Sequence, residues 1–293
     1  MKSKKMRKAM AESVLILAMG GILAGCAVNP ESLDKQVSEE KVQKESPQKP
    51  DVELTGQQLI FKSDMEELTE KTVPDYALEK ILKHYEGNKE VGGRIYTESE
   101  GLTSISYGEI GDKAVSMNEN QAVAKADEWI GTAFIGFDIS LLDNIKPIVG
   151  DMRKTQLGDE SEESVIGYRI EYPNEYNGVR IQYEGVSVLL DDSGVLHGRI
   201  EWNQYKKIDL PENTKTAQIV DFEQSKILLA NAITKENKEL GLDENSEEAR
   251  SVYKIELVFA DNGEEEYIPV WYYEMEDGRT YYVNCIDGLV TGL

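Results

Sequence analysis

Two cysteines and two histidines are all that this 293-residue chain holds of the side chains that most often bind metal. A zinc site needs three or four ligands at set spacing, and neither His84 nor His197 clusters with a thiol in the sequence, so no metal site is expected. Nucleophilic catalysis has no visible carrier: there is no Gly-x-Ser-x-Gly turn and no Cys with a His in a suggestive frame. No glycine-rich phosphate loop is present, and no cofactor is expected. The sequence reads as that of a protein that is not an enzyme.

Positive charge is scarce too. Lys and Arg number 32 against 55 Asp and Glu, a net charge of −23, which makes nucleic acid and bare anionic lipid poor partners. The acidic runs "DESEE" at 159–163 and "DNGEEE" at 261–266 lack the alternating oxygen ligands of a calcium loop and read as solvated surface. The apolar run from Val14 to Leu23 falls short of the roughly 20 residues that a membrane-spanning helix needs.

What is there begins with export. Residues 1–25 carry a basic stretch (Lys2, Lys4, Lys5, Arg7, Lys8), the short apolar run and small residues before Cys26, the order of a secretory signal peptide. Leu23-Ala24-Gly25-Cys26 resembles the lipobox of bacterial lipoproteins, in which the thiol receives diacylglycerol and becomes the mature N-terminus. The resemblance implies a lipid on Cys26 that anchors the chain at the extracytoplasmic face of the cell membrane, where two acyl chains at ~0.8 kcal/mol per CH₂ hold stably. Cleavage there would leave 27 basic against 54 acidic residues, a net charge of −27. Only Cys285 would remain besides the lipidated thiol, so no intramolecular disulfide is expected. Residues 26–55 hold no aromatic side chain and are rich in Glu, Lys, Ser, Gln and Pro; such a segment buries too little to offset its ordering entropy and reads as a flexible tether.

Periodicity divides the rest. Within 56–112, "TVPDYALEKILKHYEGN" has Pro74 placed for a first turn and apolar residues at Tyr76, Leu78, Ile81, Leu82 and Tyr85, which predicts an amphipathic helix followed by two strands. In 113–208, Ser116 and Glu119 stand at capping-box spacing before a helix with Ala122, Ala126, Trp129 and Ile130 on one face. The strands "VIGYRIEYP", "GVRIQYEG", "VSVLLDD" and "VLHGRIEW" follow. In 209–293, Asp221 and Gln224 open a second helix, and "SVYKIELVFAD", "YIPVWYYEM", "TYYVNCI" and "LVTGL" read as strands. A helix leading into an antiparallel meander thus occurs twice, over about 75 and about 65 residues, which predicts a tandem α+β arrangement of two helix-plus-antiparallel-sheet modules.

Register can be read at two turns. Closing the last hairpin on Asp277-Gly278 alone would put Trp271, Tyr273 and Met275 on the opposite side of the sheet from Tyr281, Val283 and Cys285, a slip penalised at every residue. A three-residue loop Glu276-Asp277-Gly278 with Gly278 left-handed pairs Trp271 with Val283 and Tyr273 with Tyr281, and places Cys285 on the buried face. The same device at Asp192-Ser193-Gly194 pairs Leu190 with Leu196 and Val186 with Ile200. Fifteen tyrosines remain, and alternation leaves Tyr172, Tyr176, Tyr183, Tyr272 and Tyr282 partly outward, a candidate aromatic surface for a peptide, protein or glycan.

"YNGVRIQYEGVSVLLDDSGVLHGRIEW" resembles PepSY-like repeats of the YcdB/YcdC kind: a glycine-led strand, a strand ending in Asp, a Gly turn and a strand closing on an aromatic. "YIPVWYYEMEDGRTYYVNCIDGLVTGL" is similar to the end of PepSY-like and YycH/YycI-type regulatory domains. Over residues 113–293 the resemblance implies PepSY-like modules in a non-catalytic, extracytoplasmic binding or regulatory protein whose partner is a sensor-kinase ectodomain or a peptidase. A peptidase inhibitor or accessory factor in envelope protein processing is the alternative. No catalytic residue comes with it.

Overall fold

The computed structural model describes residues 53–61, 71–92, 94–99, 101–156, 162–210, 219–241, 247–263 and 266–292. The signal peptide, the lipobox residues Leu23, Ala24 and Gly25, the lipidation residue Cys26 and all but the last three residues of the expected tether lie outside them. The described residues all belong to one unit, Glu45–Leu293.

Two α-helices occur among the described residues. In α1 (Glu119–Ala133) the side chain of Asn118 accepts from Gln121 N at 3.0 Å and that of Gln121 accepts from Asn118 N at 2.9 Å, a reciprocal cap two residues further on than the Ser116–Glu119 box that spacing suggests. Ser116 N and Met117 N donate instead to the Asp192 carboxylate, at 2.8 and 3.3 Å. In α2 (Phe222–Leu240) the expected Asp221–Gln224 box is present and Gly241 closes the helix at φ 68°. Each helix buries one stripe, Ala122, Ala126 and Ile130 in α1 and Leu229, Ala230 and Ile233 in α2.

Strands make up most of the remainder. Before α1 lie β1 (Ile60–Phe61), β2 (Tyr76–Ile81), β3 (Glu86–Gly87), β4 (Arg94–Ser99) and β5 (Leu102–Ser106). Between the helices lie β6 (Phe134–Ile135), β7 (Ile148–Gln156), β8 (Glu162–Tyr176), β9 (Val179–Asp191), β10 (Gly194–Glu201) and β11 (Gln204–Asp209). After α2 come β12 (Ser251–Asp261), β13 (Glu266–Met275), β14 (Thr280–Asn284) and β15 (Val290–Gly292).

The expected tandem of helix-plus-antiparallel-sheet modules is overturned by how these strands join. Thirteen of them form one mixed sheet whose main path runs β11-β2-β13-β12-β9-β10-β5-β4, so the fold is β-rich and continuous, with two helices laid on it. The first residues of β9 pair parallel to β12, Arg180 with Val258 and Ile181 with Phe259, while its later residues pair antiparallel to β10. A second seam runs from β11 through β2 to β13. Local alternation signals hairpins, but a short parallel crossing between strands some 80 residues apart has no local signature.

The helix expected over 72–88 is also corrected. Tyr76–Ile81 is β2, with Ala77 and Leu78 buried while Ile81 and Leu82, which a helical face would have covered, stand about half exposed. Backbone partners on β11 and β13 decide the outcome over local periodicity.

α1 packs on the sheet over Ile170, Tyr172, Val186, Val188 and Ile200. α2 covers Leu257, Trp271, Tyr273, Val283 and Cys285. A smaller group of Leu78, Ile181, Phe259 and Tyr267 fills the seam between them. At the last hairpin the register is the one alternation requires: Trp271 faces Val283, Tyr273 faces Tyr281, and Gly278 sits at φ 85°. At the upstream hairpin Val186 faces Ile200 as expected, but Asp191 pairs with Gly194 and a bulge at Leu196 makes Val195, not Leu196, the partner of Leu190.

Candidate functional site

Apolar residues on β9 change phase between Ile181 and Val186, odd positions giving way to even ones. A strand can do this only by inserting an irregularity, and the structure places one there: Pro173 pairs with Gly185 and Glu175 with Arg180, so four residues of β9 oppose one of β8. Gly185 takes φ 141°, and a Cβ on it would lie 2.2 Å from the Tyr172 carbonyl oxygen, so only glycine fits. Tyr183 takes φ 64°, unusual for a bulky residue, and is 65 % exposed.

The kink turns Glu184 inward. Its carboxylate is buried and accepts from Asn174 Nδ2 at 3.1 Å, Asn203 Nδ2 at 2.9 Å, Asn203 N at 3.2 Å and the Tyr205 hydroxyl at 2.5 Å. Lys80 Nζ on β2 completes the shell at 3.1 Å and also donates to the Tyr267 hydroxyl at 3.3 Å. Burial works to lower the Lys80 pKa, but the charge and hydrogen bond of Glu184 outweigh it and hold the ammonium above the ordinary lysine range. Burial, and then Glu184, raise the Tyr205 hydroxyl. β8, β9, β2, β11 and the β10–β11 connection are thus fastened to one charge, and β13 is tied in through Lys80.

Beside this cluster the sheet opens into a cleft of about 520 Å³ on the face turned away from α2. Ala260, Ile268 and Val270 form its floor, Leu289 and Thr291 one wall, and Gln182, Tyr183, Glu184 and Glu201 the other. The Tyr183 and Tyr282 hydroxyls share a hydrogen bond of 3.0 Å, and Gln182 Nε2 donates to Tyr282 at 2.6 Å. The Tyr272 ring supports that of Tyr282 at 5.4 Å between centroids. Burial raises the Tyr282 hydroxyl, reinforced by the bond to Tyr183, and burial likewise raises that of Tyr272. Both are therefore neutral donors at neutral pH.

Three of the five tyrosines singled out in the sequence are therefore brought together: Tyr183, Tyr272 and Tyr282. Two are not. Tyr172 lies on the face covered by α1, where it is buried and donates to Asp127 Oδ1. Tyr176 packs edge-on against Tyr76 and Phe259 in the seam. Alternation within "VIGYRIEYP" could not tell which face α1 would cover. Gln182, Glu184 and Tyr267 are site residues that pattern reading misses; the phase change across "IQYEG" marks the place of the first two, and Tyr267 on β13 has no such signal.

Among the described residues no three His, Cys, Asp or Glu side chains group to hold a metal ion, and no helix is long and apolar enough to cross a membrane. The Cys285 thiol is fully buried, and burial pushes its pKa up.

No family model matches the chain, and no curated protein matches it. A solved structure of an uncharacterized protein from Eubacterium rectale ATCC 33656 aligns over 78 % of this chain and 75 % of its own, at 12 % identity and a TM-score of 0.39, too loose a superposition to carry an argument. The PepSY-like resemblance rests on the two quoted stretches alone.

Proposed function

We propose that this chain is a non-catalytic binding protein of the bacterial cell envelope, held at the extracytoplasmic face of the membrane by lipid on Cys26, and that the tyrosine-rimmed cleft is where it takes its ligand. One observation carries the reading: Tyr183 is held in a left-handed backbone conformation at the cleft rim, exposed, with its hydroxyl on Tyr282. Such a conformation costs a non-glycine residue about 1–2 kcal/mol, and glycine would remove the cost; strain kept at an exposed aromatic beside a concave surface supports use rather than packing. The apolar floor with a few convergent polar groups is the usual composition of a ligand site. Regulation of a partner at the membrane fits a protein with this arrangement.

The test is site-specific photo-crosslinking in cells. A benzoylphenylalanine at Leu289, exposed on the cleft wall, is expected to capture a discrete partner or ligand, and one at Leu240, equally exposed at the end of α2, is not. Identical patterns from the two positions would remove the cleft from the account.

A further inference from the structure

Resting on that reading, we infer that the cleft recognises an organic cation: a quaternary or primary ammonium group carried on an apolar body. The charge of the lining argues for it. Glu184, Glu201 and Asp261 line the cleft and no Lys or Arg does. Glu184 is already committed to Lys80, and Glu201 is shared at 3.5 Å with Lys80 and at 3.5 Å with Arg199. Asp261 spends one oxygen on the Gly263 amide at 2.7 Å. The net field inside the cleft is therefore negative but not strong, which suits a diffuse cation better than a metal ion or a compact anion.

The aromatic faces argue the same way. Ring quadrupoles attract cations, and a tyrosine stacked beneath the cleft rim already does so within the chain: Lys254 Nζ lies 6.0 Å from the centroid of Tyr272, whose ring packs on that of Tyr282. Among the described residues no Lys or Arg is seated over the rings of Tyr183 or Tyr282, the two that meet at the rim; the Arg199 guanidinium donates to the Tyr183 carbonyl at 2.5 Å and is shared with Glu201. The two phenol hydroxyls and the Gln182 amide pair with one another at the rim and place no charged group on those faces. The floor of Ala260, Ile268 and Val270 takes the methyl or methylene groups that such a cation carries and that a hydrated inorganic ion lacks.

Two sources share this chemistry, a small quaternary ammonium compound and the basic side chain of a peptide. The experiment titrates the full chain in non-ionic detergent, with ¹³C-labelled tyrosine rings followed by NMR. Four probes are used: choline, its neutral isostere 3,3-dimethylbutan-1-ol, the peptide acetyl-Gly-Gly-Lys-Gly-Gly-amide, and the same peptide with norleucine for lysine. The cationic member of a pair should move the Tyr183 and Tyr282 signals, leave the α2-covered Tyr273 unmoved, and bind about tenfold tighter than its neutral partner. Preference for choline assigns the small-molecule source; preference for the lysine peptide assigns the peptide source. Tyr183→Ala should abolish both. Equal binding of the neutral partners, or no movement of Tyr183 and Tyr282 with any probe, overturns the cation assignment. The binding reading is tested separately, by the Leu289 crosslinks and their dependence on Tyr183, so the two failures are told apart.

Discussion

The hydroxyls of Tyr183 and Tyr282 lie 3.0 Å apart although 99 residues of chain separate them. They meet because β9 kinks where it passes from β12 to β10. The kink makes Tyr183 adopt a backbone shape that glycine would adopt freely. Tyr183→Gly is therefore expected to leave stability unchanged or raise it by up to about 1 kcal/mol, the relieved strain offsetting the lost hydroxyl contact and the added chain entropy. Chemical denaturation of the two proteins checks it.

Glu184 fastens the kink from beneath. Glu184→Ala leaves Lys80 without its buried partner and is expected to cost about 3–5 kcal/mol. Replacing the pair together, Lys80→Met with Glu184→Gln, should cost clearly less than Glu184→Ala alone, because no uncompensated charge remains. Denaturant titration of the single and the double variant measures the difference.

Cys285 shares a fully buried face with Val283 and Trp271 under α2. With its thiol pKa pushed up by burial, alkylation of the folded chain by a maleimide should be slow and become fast only in denaturant. Trp271→Ala should cost about 3–5 kcal/mol, since the indole packs against Phe222 and donates to the Val220 carbonyl at 3.3 Å.

Asp192 ties the β9–β10 turn to the start of α1. Hydrogen bonds from the Ser116 amide foremost, and from that of Met117, hold its pKa below the ordinary 3.8. A carboxylate whose pKa is depressed on folding contributes stability that is present above 3.8 and is lost as pH falls through its lower folded value. Amide exchange at Ser116 and Met117, corrected for the intrinsic rate, should therefore rise as pH drops below that range. Asp192→Asn should flatten the dependence.

Much of this architecture is legible in the residues, and the illegible parts have physical causes. The Trp271–Val283 register follows from alternation and one glycine because a hairpin is a local object. The Leu190–Leu196 pairing fails at the upstream turn because a bulge costs little there and shifts the pairs next to the loop without moving Val186 from Ile200. β2 fails because "YALEKI" fits a helix or a strand equally, and its partners on β11 and β13 lie more than 120 residues away. Separation in sequence also hides the joining of the halves into one sheet, where β9 meets β12 across 78 residues. Of the site, the tyrosines are readable as a type, but alternation does not separate Tyr172, which α1 covers, from Tyr183, which the kink in β9 leaves exposed.

The account stands or falls on Tyr183 as part of a binding site. The most direct measurement is the yield of the crosslink from benzoylphenylalanine at Leu289 in cells carrying either Tyr183 or Tyr183→Gly, at equal levels of the chain. Loss of the crosslink in the glycine variant, which is folded as well as its parent or better, is the predicted result. An undiminished crosslink would contradict it and reduce Tyr183 to an accident of the kink.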